Sequence, residues 1–254
     1  MKILLKLKYN GTAFSGYQVQ KGRRTVQGEL CRAASELFGH ECSVTGCSRT
    51  DAGVHAECFC ATVSDRNAPF LTTSVPTDKV AAALNAHLPD DISVFEVSDV
   101  PDSFHPRYDV KEKTYIYKIL NTRYRDPFFT DRAWFIPGVV FSADDIERMI
   151  LAAEYFVGCH NFAAFMASGS KITDPVRTVT HVGLKEEEEH ILRFEIAADG
   201  FLYNMVRIIV GTLAAVGAGR ISPEDIPVII ASRDRSRAGL TAPPHGLYLY
   251  DVKY

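Results

Sequence analysis

No stretch of this 254-residue chain reaches the ~18 to 20 consecutive apolar residues that a membrane-spanning helix requires. The longest candidate, Met205 to Val216, is interrupted by Arg207 and Gly211. No membrane association is therefore expected. The N-terminal residues alternate as a strand and lack the apolar core and small-residue cleavage site of a secretory signal. There is no Gly-Lys-Ser/Thr phosphate loop, so nucleotide hydrolysis has no support. Gly217-Ala218-Gly219 follows an expected helix, whereas a dinucleotide fingerprint needs a strand before it and a helix after it. Ser48 lacks the Gly-x-Ser-x-Gly elbow of hydrolases. No His/Glu pair at helical spacing points to a metal. None of the six cysteines forms a Cys-x-x-Cys pair, and Cys42, Cys47, Cys58 and Cys60 fit no common zinc spacing. Reduced thiols in a cytoplasmic protein are the expectation.

What is present is an ordinary globular composition, 46% hydrophobic and 23% charged, on a chain long enough for one large domain or two small ones. The net charge of −3 hides an uneven distribution. Between Phe104 and Arg125 six basic residues (Arg107, Lys111, Lys113, Lys118, Arg123, Arg125) face two acids, Asp109 and Glu112. Lys21, Arg23 and Arg24 form a second basic spot, and Arg233, Arg235 and Arg237 a third. Acid is concentrated at Glu186 to Glu189, which reads as a solvated hairpin tip. A basic groove on an acidic protein and separate solvated clusters both fit this pattern.

The periodicities give one order of elements twice. Strand Lys2–Tyr9, helix Thr25–Phe38, strands Cys42–Cys47 and Glu57–Val63, helix Thr77–His87 and strand Ile92–Val97 make β-α-β-β-α-β. The first helix carries Val26, Leu30, Ala33, Ala34 and Leu37 on one face and stops at Gly39. The second half has strand Thr114–Asn121, with Tyr115, Tyr117 and Ile119 on one face, and helix Ser142–Phe156. That helix starts with a Ser142-x-x-Asp145 capping box, and Gly158 lies just past its end. A hairpin over Arg177–Lys185 and Ile191–Ala197, an apolar helix Tyr203–Val216, an extra helix Ser222–Ser232 and a strand Leu247–Tyr254 complete it. The expected fold is α+β: two ferredoxin-like halves, 1–100 and 101–254, with antiparallel sheets and a ligand cleft between them.

One string stands out chemically: Gly46-Cys47-Ser48-Arg49-Thr50-Asp51-Ala52-Gly53-Val54-His55-Ala56. An arginine and a carboxylate lie two residues apart, and a glycine precedes a strand-like alternation. Asp before a Gly turn is common for conformational reasons alone. Equally, a carboxylate exposed at such a turn beside a cation stays ionised inside a closed site.

Ser48 to Ala56 resembles the catalytic motif of the bacterial tRNA pseudouridine synthase A family, and the likeness runs over nearly the whole chain. Asn10-Gly11-Thr12-x-Phe14-x-Gly16-Tyr17-Gln18-x-Gln20 resembles the family's N-terminal loop, and Thr25 to Leu30 the start of its first helix. Asn85-x-x-Leu88-Pro89-x-Asp91-Ile92, Phe104-His105-Pro106-Arg107-Tyr108, Lys113-Thr114-Tyr115-x-Tyr117, Phe201 to Gly211 and Gly246-Leu247-Tyr248-Leu249 follow in the family's order. Many members have Gly where Ser48 stands, outside the Arg-Thr-Asp core.

The resemblance implies an isomerase that detaches uracil from ribose and rejoins it through carbon, with no metal, nucleotide or other cofactor. Its targets would be uridines of the tRNA anticodon stem-loop, about positions 38 to 40. Asp51 would be the nucleophile, acting on base or sugar, and Arg207 its ion-pair partner. Tyr115 would stack on the target base, with a proton-transfer role left open, and Leu247 would pack on the base's other side. Arg49 would enter the RNA to hold the base out of its stack. The substrate-binding set would add Phe104, His105, Pro106, Arg107, Tyr108, Arg123 and Lys171, with His105, Arg107, Arg123 and Lys171 on the RNA backbone. Homodimers are implied as well. A non-catalytic tRNA-binding protein has no use for Asp51 among phosphates. An aspartate-dependent hydrolase lacks a second positioned acid.

Overall fold

The computed structural model describes residues 1–169, 172–187 and 190–254. Lys171, and Glu188 and Glu189 of the glutamate run, lie outside the described residues. The protein is α+β, and its contacts divide it into two compact units, Met1–Lys111 with Tyr248–Tyr254, and Glu112–Leu247. The sequence reading divides the chain after residue 100 instead. The difference has a physical cause. Lys111 donates its amide to the Lys253 carbonyl (2.9 Å), the Tyr254 hydroxyl donates to the Pro106 carbonyl (2.8 Å), and Phe104 meets the Tyr254 ring edge-on at 4.8 Å. Residues 101–111 and the C-terminal strand are thus tied together within the first unit.

The first unit contains strand β1 (Ile3–Tyr9), helix α1 (Val26–Phe38), strands β2 (Cys42–Gly46) and β3 (His55–Asp65), helix α2 (Thr77–Asn85) and strand β4 (Ile92–Asp99). The sheet runs β4-β1-β3-β2 with antiparallel neighbours, the ferredoxin-like order. Ile3, Leu5 and Leu7 are fully buried. Helix α1 forms where the 3.6-residue spacing brings Val26, Leu30, Ala33 and Ala34 to one buried face. Leu37, expected on that face, is only half-buried in the last turn. The Thr25 side chain caps the start by accepting from the Gly28 amide at 3.3 Å, and Gly39 ends the helix in the left-handed region at φ 75°. Helix α2 is stitched to β4 by Asn85, whose side chain bonds both the amide and the carbonyl of Val94 (2.8 and 2.7 Å).

The second unit contains β5 (Glu112–Leu120), β6 (Trp134–Phe135), α3 (Ala143–Glu154), β7 (Gly158–Asn161), β8 (Val176–Glu187), β9 (Ile191–Ala198), α4 (Met205–Gly217) and α5 (Asp225–Ser232). Its sheet runs β5-β9-β8-β7. The Ser142/Asp145 capping box is formed in both directions. Gly158 is not the terminator of α3: the helix ends at Tyr155 in right-handed conformation, and Gly158 opens β7. Helix α4 is buried at every position except Arg207 and Ala215, which makes an arginine there conspicuous.

The last strand, β10 (Leu247–Lys253), runs parallel to β3, with Tyr248 opposite His55 and Leu249 opposite Ala56. β6 is parallel to β5. These are two parallel pairings beside the antiparallel ones expected for the two sheets. Strand β3 outruns β2, which pairs only with Ala61 to Asp65, so the His55 end of that edge is left for another strand. No helix among the described residues is long and apolar enough to cross a membrane.

Candidate active site

The turn that carries Asp51 is fixed through the main chain on either side of it. The Thr50 side chain shares a buried 2.7 Å hydrogen bond with the Tyr9 hydroxyl, and the Thr50 carbonyl accepts from the Tyr17 amide at 3.1 Å. The Asp51 carbonyl accepts from the Val54 amide at 3.2 Å, closing the turn. One step on, the buried His55 ring accepts the Gly11 amide at its Nδ1 (3.0 Å) and stacks on Tyr248 at 4.5 Å. The loop after β1 therefore lies directly on the Asp51 turn. Two glycines permit this approach. A Cβ at Gly11 would overlap the Val54 carbonyl, and one at Gly16, whose φ is +90°, would come within 2.8 Å of the Thr50 carbonyl. Asp51 itself is half-buried at the end of this frame.

Beside the turn is a polar groove of about 200 Å³, lined among others by Arg49, Gln18, His105, Arg107 and Tyr108. The structure thus brings four of the sequence-derived RNA-contact candidates onto one surface of the first unit. His105 is held rigidly: its Nδ1 accepts from the amides of Arg107 (3.1 Å) and Tyr108 (3.3 Å), and its own amide donates to Asp109 (2.8 Å). Phe104 and Pro106 are not on this surface in the same sense. Phe104 is half-buried against Tyr254, and Pro106 is buried with its carbonyl bound by the Tyr254 hydroxyl, so both shape the loop.

Arg24, expected in a second basic spot, is committed to structure. Its guanidinium grips Asp91 with two bonds (2.7 and 2.9 Å), reaches Glu29 at 3.2 Å and lies over the Phe14 ring at 4.2 Å. In the third spot Arg235 is similarly occupied with the Ala238 carbonyl and the Thr241 hydroxyl.

In the second unit Arg207 stands in the first turn of α4, half-buried. Its Nε donates to the Ala242 carbonyl (2.7 Å), one terminal nitrogen donates to Asn204 Oδ1 (2.7 Å), and its own carbonyl accepts from the Ala242 amide (3.0 Å). Asn204, in left-handed conformation at φ 61°, spends its side chain on this arginine instead of capping the helix. Arg207 is therefore a fixed cation, unlike a mobile surface arginine.

The same segment orders its neighbours. Tyr117 is fully buried, and its hydroxyl donates to the Pro243 carbonyl at 2.8 Å. Burial raises its phenol well above the ordinary value, with Arg207 pulling weakly the other way. Burial likewise lowers the His245 imidazole; Asp131 opposes this and Arg207 adds to it. Tyr115, two residues before Tyr117, is 7% exposed and meets Phe201 edge-on at 5.1 Å. Leu247 is also 7% exposed, at the head of β10. Arg123 is exposed above the Tyr124 ring at 5.4 Å.

The supporting residues were less visible in the sequence than the chemical ones. Gly11, Gly16, His55, Asn204 and Tyr248 all fall inside the family-like strings, but nothing in those strings states their structural work. Tyr9 and Ala242 carry no signal at all.

A basic groove, a pinned aspartate turn and a fixed buried-helix arginine on an α+β scaffold suit an enzyme that works on RNA. The chain belongs to the tRNA pseudouridine synthase family, whose description matches residues 7–109 and 152–254. It is an isomerase of tRNA processing. It is 46% identical to tRNA pseudouridine synthase A of Acetivibrio thermocellus over 253 residues, 99% of each chain. It is 44% identical to tRNA pseudouridine synthase A of Thermoanaerobacter sp. (strain X514) over 252 residues, again 99% of each. Among solved structures, the archaeal box H/ACA sRNP Nop10-Cbf5 complex is a distant likeness, at 11% identity and a TM-score of 0.38 over 85% of this chain and 42% of that one.

Proposed function

We propose that this enzyme isomerises uridines of the tRNA anticodon stem-loop, at about positions 38 to 40, with Asp51 as the nucleophile. In the reaction the bond from ribose C1′ to base N1 breaks and a bond from C1′ to C5 forms. The hydrogen on C5 is lost to solvent and N1 gains one, so no electrons enter or leave. Asp51 serves as the ionised nucleophile towards base or sugar, with the Arg207 guanidinium as the cation that keeps it charged.

The observation that carries this reading is the frame around Asp51: Thr50 is bound at both its hydroxyl and its carbonyl, and two glycines let a second loop clamp the turn. So much fixed backbone around one carboxylate is what a reacting group needs. Tyr115 stacks on the target uracil and Leu247 packs on its other side. Arg49 holds the base out of its stack, at a cost of a few kcal/mol that the RNA contacts offset. His105, Arg107 and Tyr108, on a loop that Phe104 and Pro106 shape, complete the RNA-binding set with Arg123 and Lys171. The enzyme acts in the cytoplasm as a homodimer, without metal, nucleotide or other cofactor.

The test uses a tRNA transcript tritiated at uridine C5, with matched transcripts carrying cytidine at positions 38, 39 and 40 in turn. Tritium release that falls as those uridines are replaced supports the reading. Undiminished release from a transcript lacking all three would move the site elsewhere in the tRNA.

A further inference from the structure

His105 and Tyr108 pack as a tilted ring pair at one wall of the groove beside Arg49. The ring centroids are 4.2 Å apart at an interplanar angle of 30°. His105 cannot swing away, because its Nδ1 accepts two backbone amides. With that nitrogen accepting, the ring hydrogen sits on Nε2. Tyr108 is 77% exposed although one of its faces is already covered, so the other face is open to solvent. Tyr108 is therefore no core residue, and the ring behind it is fixed. Arg49 and Arg107 share the groove and are in no ion pair among the described residues. The chain distance from Arg49 to Asp51 is two residues, at most about 7 Å.

We propose that the outer face of Tyr108 is a stacking platform for an unpaired RNA nucleobase other than the uridine that reacts, with Arg49 and Arg107 on the flanking phosphates. This rests on the reading of the enzyme as one that acts in an anticodon stem-loop, where a neighbouring loop nucleotide is unpaired. Aromatic faces accept any base, so the site adds grip and register with little sequence preference. It also follows that the contact is non-ionic, whereas those of the two arginines depend on salt.

The test measures tRNA affinity as a function of salt for Tyr108→Ala, Tyr108→Leu, Tyr108→Phe and Arg107→Gln in the full-length protein. Tyr108→Ala and Tyr108→Leu should each bind about tenfold more weakly with an unchanged salt slope, and Tyr108→Phe should restore binding to within about twofold. Arg107→Gln should make the slope shallower by about one. Affinity of Tyr108→Ala equal to wild type, or rescue by Leu as complete as by Phe, would overturn the platform. Tritium release by the wild type is followed in the same samples. A flat affinity series with release intact sinks the platform alone; no release by the wild type sinks the functional reading and the platform with it.

Discussion

Around Asp51 the first unit fixes its turn through main chain: amides of Tyr17 and Val54, a threonine bound at its hydroxyl and its carbonyl, and two glycines that let one loop lie on another. Around Arg207 the second unit fixes a long side chain instead, through the Ala242 carbonyl and the Asn204 amide oxygen. The first arrangement depends on atoms that are missing, since any Cβ at Gly11 collides. The second depends on atoms that are present and in a planar fork. A small turn carboxylate has no reach of its own, so its position is the backbone's position. A guanidinium at the end of three methylenes must be held at its head.

The comparison can be broken most severely at Gly11. In Gly11→Ala the new methyl overlaps the Val54 carbonyl, and we expect a loss of about 3 kcal/mol in stability together with a fall in turnover. Thermal unfolding and tritium release check the two effects; an unchanged melting temperature would mean that the two loops are not clamped together. A smaller, purely functional effect is expected for Arg207→Lys. The lysine keeps the charge but loses the fork, and charged hydrogen bonds of about 1.5–3 kcal/mol translate to roughly tenfold to hundredfold slower turnover. Equal kcat in the two proteins would show that position of the cation is immaterial. The smallest effect lies away from both sites. Hydrogen bonds from Thr72, and then His40, pull the Asp65 carboxyl down to about 2. Its folded-state value is below the unfolded one, so its stabilisation is present above about pH 4 and is lost as pH falls towards 2. Asp65→Asn should flatten the fall of melting temperature across that window; an identical slope in both proteins would contradict the assignment.

Helix ends and apolar faces were legible because their causes are local. Thr25 and Gly39 bracket α1, the Ser142/Asp145 box opens α3, and α4 reads as an apolar run with one arginine. Pairing between distant strands was not. The parallel partnership of β10 with β3 depends on how far β2 extends, which no periodicity records. Gly158 lies just past the end of α3, where glycine is common, but it serves to start β7 at φ 114°. In the same way charge was legible and its use was not. Arg24 and Arg107 look alike in sequence; one is locked to Asp91 and Glu29, and the other faces a groove. The Ser48–Ala56 string pointed to Asp51, while the residues that immobilise it are spread from Tyr9 to Tyr248.

The central claim is that Asp51 attacks the substrate in a uridine isomerisation. Its most direct test is tritium release from C5-labelled tRNA by wild type and by Asp51→Asn, with tRNA affinity measured on both. The account predicts release by the wild type, none by Asp51→Asn, and closely similar affinity. Substantial release by Asp51→Asn would contradict it.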